Sequence, residues 1–210
     1  MNDLERLLTG AADQVADAGD AADPAMKRLR AALASRAQEQ NLLDIAYRTV
    51  ETPVGQLLIA ATPLGLIRVA YPRQDHDAVL TALAEQVSPR VLFAPAKLDD
   101  AARQFDDYFT RHRHRFELAV DLQLASGFRR TVLERLPDVG YGRTVSYGEL
   151  AAQVGHPRAA RAVGTACATN PLPLVIPCHR VVLGDGSPGA YVGGPEKKRV
   201  LLDFEHEAAA

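Results

Sequence analysis

Hydrophobic positions change their period twice along this chain of 210 residues. In residues 1–43 they are sparse and helical in spacing: Leu4, Leu7 and Leu8 make one short stripe, and Met26, Leu29 and Leu33 make another. Asp23-Pro24 reads as an N-cap with proline at the first helical position. Residues 11–23 have little to bury and read as a linker. The segment predicts a solvated helical extension, with a partner-docking helix as the sharper alternative.

From Leu43 the period falls to two. Residues 45–50 and 56–60 alternate, and Thr52-Pro-Val-Gly55 between them supplies turn chemistry. Thr62-Pro-Leu-Gly65 is a second turn and leads into residues 66–71. Three runs joined by tight turns predict an antiparallel meander. Helical spacing then puts Val79, Leu80 and Leu83 on one face of a helix over 78–86. A second helix over 98–110 turns Ala102, Phe105 and Tyr108 or Phe109 inward, and residues 117–122 read as a further strand or extended link. No catalytic constellation falls in this unit. Arg111-His-Arg-His-Arg115 is the most basic stretch and reads as a solvated helix end. Its histidines are i, i+2, on different faces, which weakens a metal reading.

Past Ala125-Ser-Gly127 the period is helical again. One helix runs from Gly127 to Leu136 and stops at Pro137. Ser146 and Glu149 make a capping box for a helix over 147–154, with Gly155 as its terminating glycine. Pro157 opens the next helix, over 158–168, which completes a helix-turn-helix pattern. That helix is built of alanine, valine, glycine and threonine, and only Arg158 and Arg161 carry long side chains. A helix that reads base edges in the major groove presents several polar groups. A bare one can press its backbone into a groove, with Ala159 and Ala160 at the contact and one arginine projecting, which suits shape-tolerant minor-groove binding. Core packing by small residues is the plainer alternative. Pro195 starts a last helix with Val200, Leu201 and Phe204 on its core face, ending near Glu205 before a fraying alanine tail. The chain thus divides into an extension (1–43), an α/β unit (44–124) and a mainly helical unit (125–207).

Composition narrows the function classes. Lys and Arg number 24 against 26 Asp and Glu, a net charge of −2. This excludes a strongly basic protein that coats nucleic acid, and leaves room for a neutral-surfaced reader. Cys167 and Cys178 are the two cysteines, which argues against a disulfide scaffold and a structural zinc. No apolar run approaches about 20 residues and the start lacks signal-peptide character, so a cytoplasmic chain without a membrane span is expected.

The candidate chemistry lies in residues 171–182. The apolar run 174–176 reads as a buried strand or extended segment, and Pro177 then holds Cys178 at a rigid bend. A thiol is reactive as thiolate, a minority species at a free pKa of about 8.5. His179 is the candidate base, acting through a bridging water because adjacent side chains rarely bond directly. A small buried hydrophobe is the plain reading of Cys178.

Ile176-Pro-Cys-His-Arg-Val181 resembles the active-site motif of the methylated-DNA–protein-cysteine methyltransferases, the O6-alkylguanine-DNA alkyltransferases. Val145-Ser-Tyr-Gly-Glu-Leu-Ala151 and Arg158-Ala-Ala-Arg-Ala-Val-Gly164 are similar to the family's helix-turn-helix, and Asn170-Pro-Leu-Pro173 to its asparagine hinge. Gly189-Ala-Tyr-Val-Gly-Gly194 and residues 197–205 are similar to its substrate loop and last helix. The resemblance is dense over 127–207 and thinner over 45–122. It implies an α/β (α+β) fold. A ribonuclease-H-like N-terminal domain around a three-stranded antiparallel sheet would precede a mainly helical, winged-helix-like C-terminal domain. It implies direct repair of double-stranded DNA: the alkyl group of O6-alkylguanine, and of O4-alkylthymine, passes irreversibly to Cys178, once per molecule, after base flipping from minor-groove-bound duplex.

The same resemblance implies roles for individual residues. His179 takes the thiol proton through water, Glu205 orients the imidazole, and Asn170 ties the helix-turn-helix to the reactive segment. Tyr147 crowds the rotating phosphate and donates to guanine N3. Arg161 is the intercalating finger, and Arg158, Ala159 and Ala160 share the DNA contact. Arg129, where the family often has glutamine, adds a phosphate contact. The carbonyls of Cys178 and Val181 read the guanine amino group, the Val192 amide sits near O6, and Tyr191 walls the pocket. No cofactor, no metal and a monomeric state are implied. Leu133-Glu134 replaces a common Val-Trp pair, which alters packing against the first unit. Ala190-Tyr-Val192 departs from a smaller or polar pattern, which bears on alkyl size. A damage sensor without chemistry is disfavoured by the presence of Cys178. A cysteine hydrolase is disfavoured because such enzymes draw Cys and His from distant positions.

Overall fold

The computed structural model describes residues 43–209, so the predicted helical extension lies, up to residue 42, outside the described residues. Strands β1 (Ile45–Val50), β2 (Leu57–Thr62) and β3 (Gly65–Ala70) form the predicted antiparallel meander. The Thr52 hydroxyl closes the first turn by donating to the Gly55 carbonyl at 2.6 Å. The sheet has a fourth strand that alternation does not disclose. β4 (Val91–Phe93) pairs in parallel with β1, giving a four-stranded mixed sheet of order β3-β2-β1-β4 in place of the three-stranded antiparallel one. Three consecutive apolar residues are too short to show any period.

Helix α1 (His76–Gln86) is capped by the Asp75 carboxylate, which accepts from the amides of Asp77 and Ala78. It packs Val79 and Leu83 against Ile45, Leu58 and Ala60 of the sheet. Helix α2 (Asp99–Phe109) buries Ala101, Gln104, Phe105 and Tyr108. Beyond it, Arg111 pairs with Glu207 at 2.9 Å and Arg113 with Glu117 at 3.4 Å, so the basic run is a helix end neutralised by carboxylates. The open edge of β3 is covered. The Leu66 amide donates to the Ala119 carbonyl, and the Val69 amide donates to the Pro171 carbonyl, each at 2.8 Å. That edge therefore holds the start of the reactive segment, and an unpaired row of backbone groups is avoided.

The second half contains α3 (Gly127–Arg135), α4 (Tyr147–Gln153), α5 (Ala160–Ala168) and α6 (Pro195–Ala209). The capping box forms as predicted: the Ser146 amide donates to Glu149 Oε2 at 2.8 Å, and the Glu149 amide to Ser146 Oγ at 3.1 Å. Gly155, at φ +80°, ends the turn after α4. α5 starts two residues later than its spacing predicts, because Pro157 and Arg158 form a turn closed by the Ala159 amide on the His156 carbonyl. α5 buries Val163, Ala166 and Cys167 and leaves Arg161, Ala162 and Thr165 exposed. Residues 174–175 are a turn, with Leu174 at φ +74°, and Ile176 makes an isolated bridge to Pro173, so the run is neither a strand nor an extended segment. Pro171 and Pro173 cannot donate to a ladder there. Short strands β5 (Val145–Ser146) and β6 (Val181–Val182) pair in parallel and fasten the start of the helix-turn-helix to the reactive segment.

α6 continues a turn past its predicted end because alanine favours helix. Its buried stripe is Lys198, Leu201 and Glu205, spaced i, i+3, i+7, while Val200 is 47% exposed. Hydrophobicity alone rotates this helix wrongly, since two of its three inward residues are charged. No described helix is long and apolar enough to cross a membrane.

Gly65 shows how tightly the link 117–122 is docked. Its φ is +142°, and an added Cβ would lie 2.4 Å from the Ala119 carbonyl oxygen. Gly65→Ala is expected to cost at least ~2 kcal/mol, lowering the thermal midpoint by roughly 4–8 °C. A circular-dichroism melt within about 1 °C of wild type would contradict this packing.

Candidate active site

α6 carries Glu205 into the interior, where the residue is 1% exposed. Its carboxylate accepts five hydrogen bonds. Oε1 receives Tyr108 Oη at 2.6 Å, His179 Nε2 at 2.9 Å and Arg180 Nη2 at 2.9 Å. Oε2 receives Arg180 Nε at 2.9 Å and the Gly142 amide at 3.2 Å. Burial would raise the pKa of this carboxyl. The hydrogen bonds and charges of His179 and Arg180 outweigh it and hold Glu205 well below the usual carboxylate range.

An ionised carboxylate can only accept, so His179 Nε2 carries the hydrogen and Nδ1 keeps its lone pair. Nδ1 is buried and has no hydrogen-bond partner among the described residues. Burial lowers the His179 pKa against the upward pull of Glu205, so the ring is neutral at pH 7.

Cys178 opens a 3₁₀ turn (Cys178–Arg180) and is 1% exposed. Burial pushes its thiol up to about 11, against the lowering effects of the Asn170 hydrogen bond and the Lys198 charge. The thiol is therefore protonated at neutral pH and needs a base. Asn170 Nδ2 donates to Sγ at 3.1 Å and to the Ile176 carbonyl at 2.8 Å, while its Oδ1 accepts from the Leu172 amide at 2.9 Å. One side chain thus ties the end of α5 to the reactive turn.

Tyr147 stands at the mouth of the site, half-buried between α5 and the loop after β6. Lys198, fully buried, donates from Nζ to the Val181 carbonyl at 2.5 Å and to Tyr147 Oη at 3.3 Å. With its oxygen accepting from Lys198, the phenol keeps its own proton for a ligand. Burial pushes that phenol up to about 12. Tyr191 is 7% exposed, and its Oη lies 2.9 Å from that of Tyr71 on the first half. Val192 is half-buried.

Sequence-predicted residues therefore converge: Cys178, His179, Glu205, Asn170, Val181 and Tyr191 form one buried cluster, with Tyr147 half-buried at its edge. Arg158 and Arg161 lie outside it, exposed, with no side-chain partner among the described residues. Ala159 and Ala160 are half-buried, and Arg129 lines a separate groove that reaches Asn170 and Val192. Arg180, Lys198, Tyr108 and Tyr71 were not anticipated. Lys198 carries a signal, since it stands one helical turn before the core residue Leu201. Tyr108 and Tyr71 looked like ordinary core aromatics, and only tertiary contact shows their hydroxyls bonded.

Comparison with known proteins identifies this arrangement. Residues 127–207 match the family model described as 6-O-methylguanine DNA methyltransferase, DNA binding domain. Residues 45–122 match 6-O-methylguanine DNA methyltransferase, ribonuclease-like domain. The chain belongs to this family, in which DNA is repaired by alkyl transfer to cysteine. The methylated-DNA–protein-cysteine methyltransferase of Mycolicibacterium paratuberculosis is 37% identical over 161 residues, 77% of this chain and 92% of the relative. The Mycobacterium tuberculosis protein of the same name is 34% identical over 79% of this chain and 94% of its own. The crystal structure of Mycobacterium tuberculosis O6-methylguanine methyltransferase aligns with TM-score 0.70 at 34% identity, covering 79% of this chain and 95% of that one. The same protein in complex with DNA aligns with TM-score 0.67, covering 78% and 94%.

Two ionisations should make the fold acid-sensitive. The unfolded chain takes up a proton on His179 below about pH 6.5 that the folded ring resists, and one on Glu205 below about 4.5 that the folded carboxylate resists. Stability is thus fullest above pH 6.5 and falls on acidification in two steps. Glu205→Gln should remove the lower step and cost about 3–5 kcal/mol at pH 7, because Arg180 stays buried without its counter-charge. Urea unfolding across pH 4–8 measures both. An unchanged midpoint in Glu205→Gln would contradict the cluster.

Proposed function

We propose that Cys178 accepts the alkyl group of O6-alkylguanine, and of O4-alkylthymine, from double-stranded DNA, acting as a monomer without cofactor or metal. The observation that carries this reading is the pairing of a buried, protonated thiol with a neutral imidazole whose Nδ1 lone pair is unclaimed. The thiol proton passes through water to Nδ1, and Glu205 stabilises the imidazolium that results. Sγ attacks the alkyl carbon, the S–C bond forms and the C–O6 bond breaks, leaving its electron pair on guanine. Charge spreads to N3, where the Tyr147 hydroxyl donates. Arg161, with a free guanidinium on the exposed face of α5, fills the space the flipped base leaves in the stack. Arg158, Ala159 and Ala160 flank it, and Arg129 adds a phosphate contact. The carbonyls of Cys178 and Val181 accept from the guanine amino group, with Val192 and Tyr191 as walls. The product is a thioether with no leaving group, so each chain reacts once.

Intact-mass measurement after incubation with an O6-methylguanine oligonucleotide should show one added methyl group on wild type and none on Cys178→Ala. Multiple turnovers per chain, or an unmodified Cys178 beside repaired DNA, would contradict the proposal. The methyl group enters a closed site at an atom that already accepts from Asn170. Methylated protein should therefore be less stable than unmodified protein by about 1–3 kcal/mol, the cost of overpacking a filled interior. An equal or higher melting midpoint would contradict this.

A further inference from the structure

Between the two halves lies a groove of about 310 Å³ that reaches Asn170 and Val192 at one end and Arg68 and Gln74, to which the alkyl-transfer reading gives no role, at the other. Arg68 of β3 and Arg129 of α3 both line it, and no acidic residue does. Neither guanidinium has a hydrogen bond or ion pair among the described residues. The Arg68 Nε is buried and unpartnered. Two arginines side by side repel, and a buried N–H without an acceptor costs free energy. The Arg68 pKa is lowered by burial and by the charge of Arg129, which reflects that frustration. Gln74 also faces the groove. Its Oε1 accepts from the Tyr71 amide at 3.0 Å, which fixes the NH₂ end as the remaining donor. The groove thus offers donors and positive charge with nothing to receive them.

Its position suggests the acceptor. Arg161, Ala162, Thr165, Ala168 and Thr169 are all exposed and follow one face of α5 and its C-cap. Ala168 and Thr169 border the groove. From Arg161 to Thr169 the helix rises about 12 Å, three to four nucleotide steps of one DNA strand. A strand lying along the exposed face of α5 would bring its backbone to the groove.

We propose that Arg68, with Arg129 and Gln74, forms a phosphate-binding site that receives a backbone phosphate of the DNA duplex, so that the ribonuclease-like half takes part in DNA binding. This rests on the reading that the chain acts on duplex DNA. Phosphate oxygens satisfy the Arg68 Nε and neutralise the paired guanidiniums, as bidentate arginine contacts to phosphate do.

The test is the salt dependence of binding to a short unmodified duplex, measured by fluorescence anisotropy over a KCl series. Arg68→Gln should reduce the slope of log K against log[KCl] by about 1 and weaken binding roughly five- to tenfold at 0.1 M salt. Arg68→Lys keeps the charge and should keep the slope. It also stands in should Arg68→Gln fold poorly. Arg68→Gln is itself expected to melt no lower than wild type, since it removes an unpaired cation. Inorganic phosphate is the second probe. If the slope is unchanged but phosphate raises the melting midpoint of wild type and not of Arg68→Gln, the site is an oxyanion site for a free phosphate, and the DNA assignment is overturned. If neither the slope nor the phosphate shift depends on Arg68, or if only Arg129→Gln changes the slope, the shared site is overturned. Methyl uptake by wild type, scored separately by mass, tells failure of this inference from failure of the alkyl-transfer reading.

Discussion

One buried negative charge organises the reactive half of this protein. Glu205 is held by four residues from three separate places: α2 through Tyr108, the loop before β5 through Gly142, and the reactive turn through both His179 and Arg180. Removing a carboxylate from water costs several kcal/mol, and a guanidinium in bidentate contact with three further donors offsets that cost. The arrangement fixes more than stability. Because Arg180 keeps Glu205 ionised, Glu205 can only accept, and His179 is held in the one tautomer that leaves Nδ1 free to take a proton.

Burial supplies the second half of the chemistry. The same desolvation that raises the Cys178 thiol lowers the His179 imidazole. Both groups are therefore neutral at rest. Such a thiol is shielded from casual oxidation or alkylation, since reactivity follows thiolate character and exposure. The first half contributes by bracing. The β3 edge bonds to Pro171, and Tyr71 bonds to Tyr191. A Cβ at Gly193 would come within 2.8 Å of the Tyr71 ring, so the loop 189–194 is pressed directly onto that half.

Much of this was legible in the chain. Alternation in 45–71 gave the meander, and the Ser146–Glu149 box and Gly155 gave the helix-turn-helix, because those signals are local. The Cys178-His179 pair is legible in the residues themselves, Glu205 only through the resemblance, and the geometry brings them together. The failures have a shared cause. Lys198 and Glu205 are charged residues on a buried stripe, so a hydrophobic period turns α6 toward Val200. Nothing local marks Arg180 as the buried partner of Glu205, because that pairing spans 25 residues of sequence. β4 escaped because three residues carry no period, and its pairing with β1 is non-local. The apolar run 174–176 reads as a strand or extended segment because its residues are buried by tertiary contact, whereas Pro171 and Pro173 keep it out of a ladder.

The central claim is that Glu205 fixes a neutral His179 with the hydrogen on Nε2 and the lone pair on Nδ1. Nitrogen-15 NMR of the histidine ring in unreacted protein at pH 7 measures this directly. The account predicts a protonated Nε2 and a bare Nδ1 for His179, persisting below the pH at which an ordinary histidine titrates. A ring protonated on Nδ1, or an imidazolium at neutral pH, would contradict it.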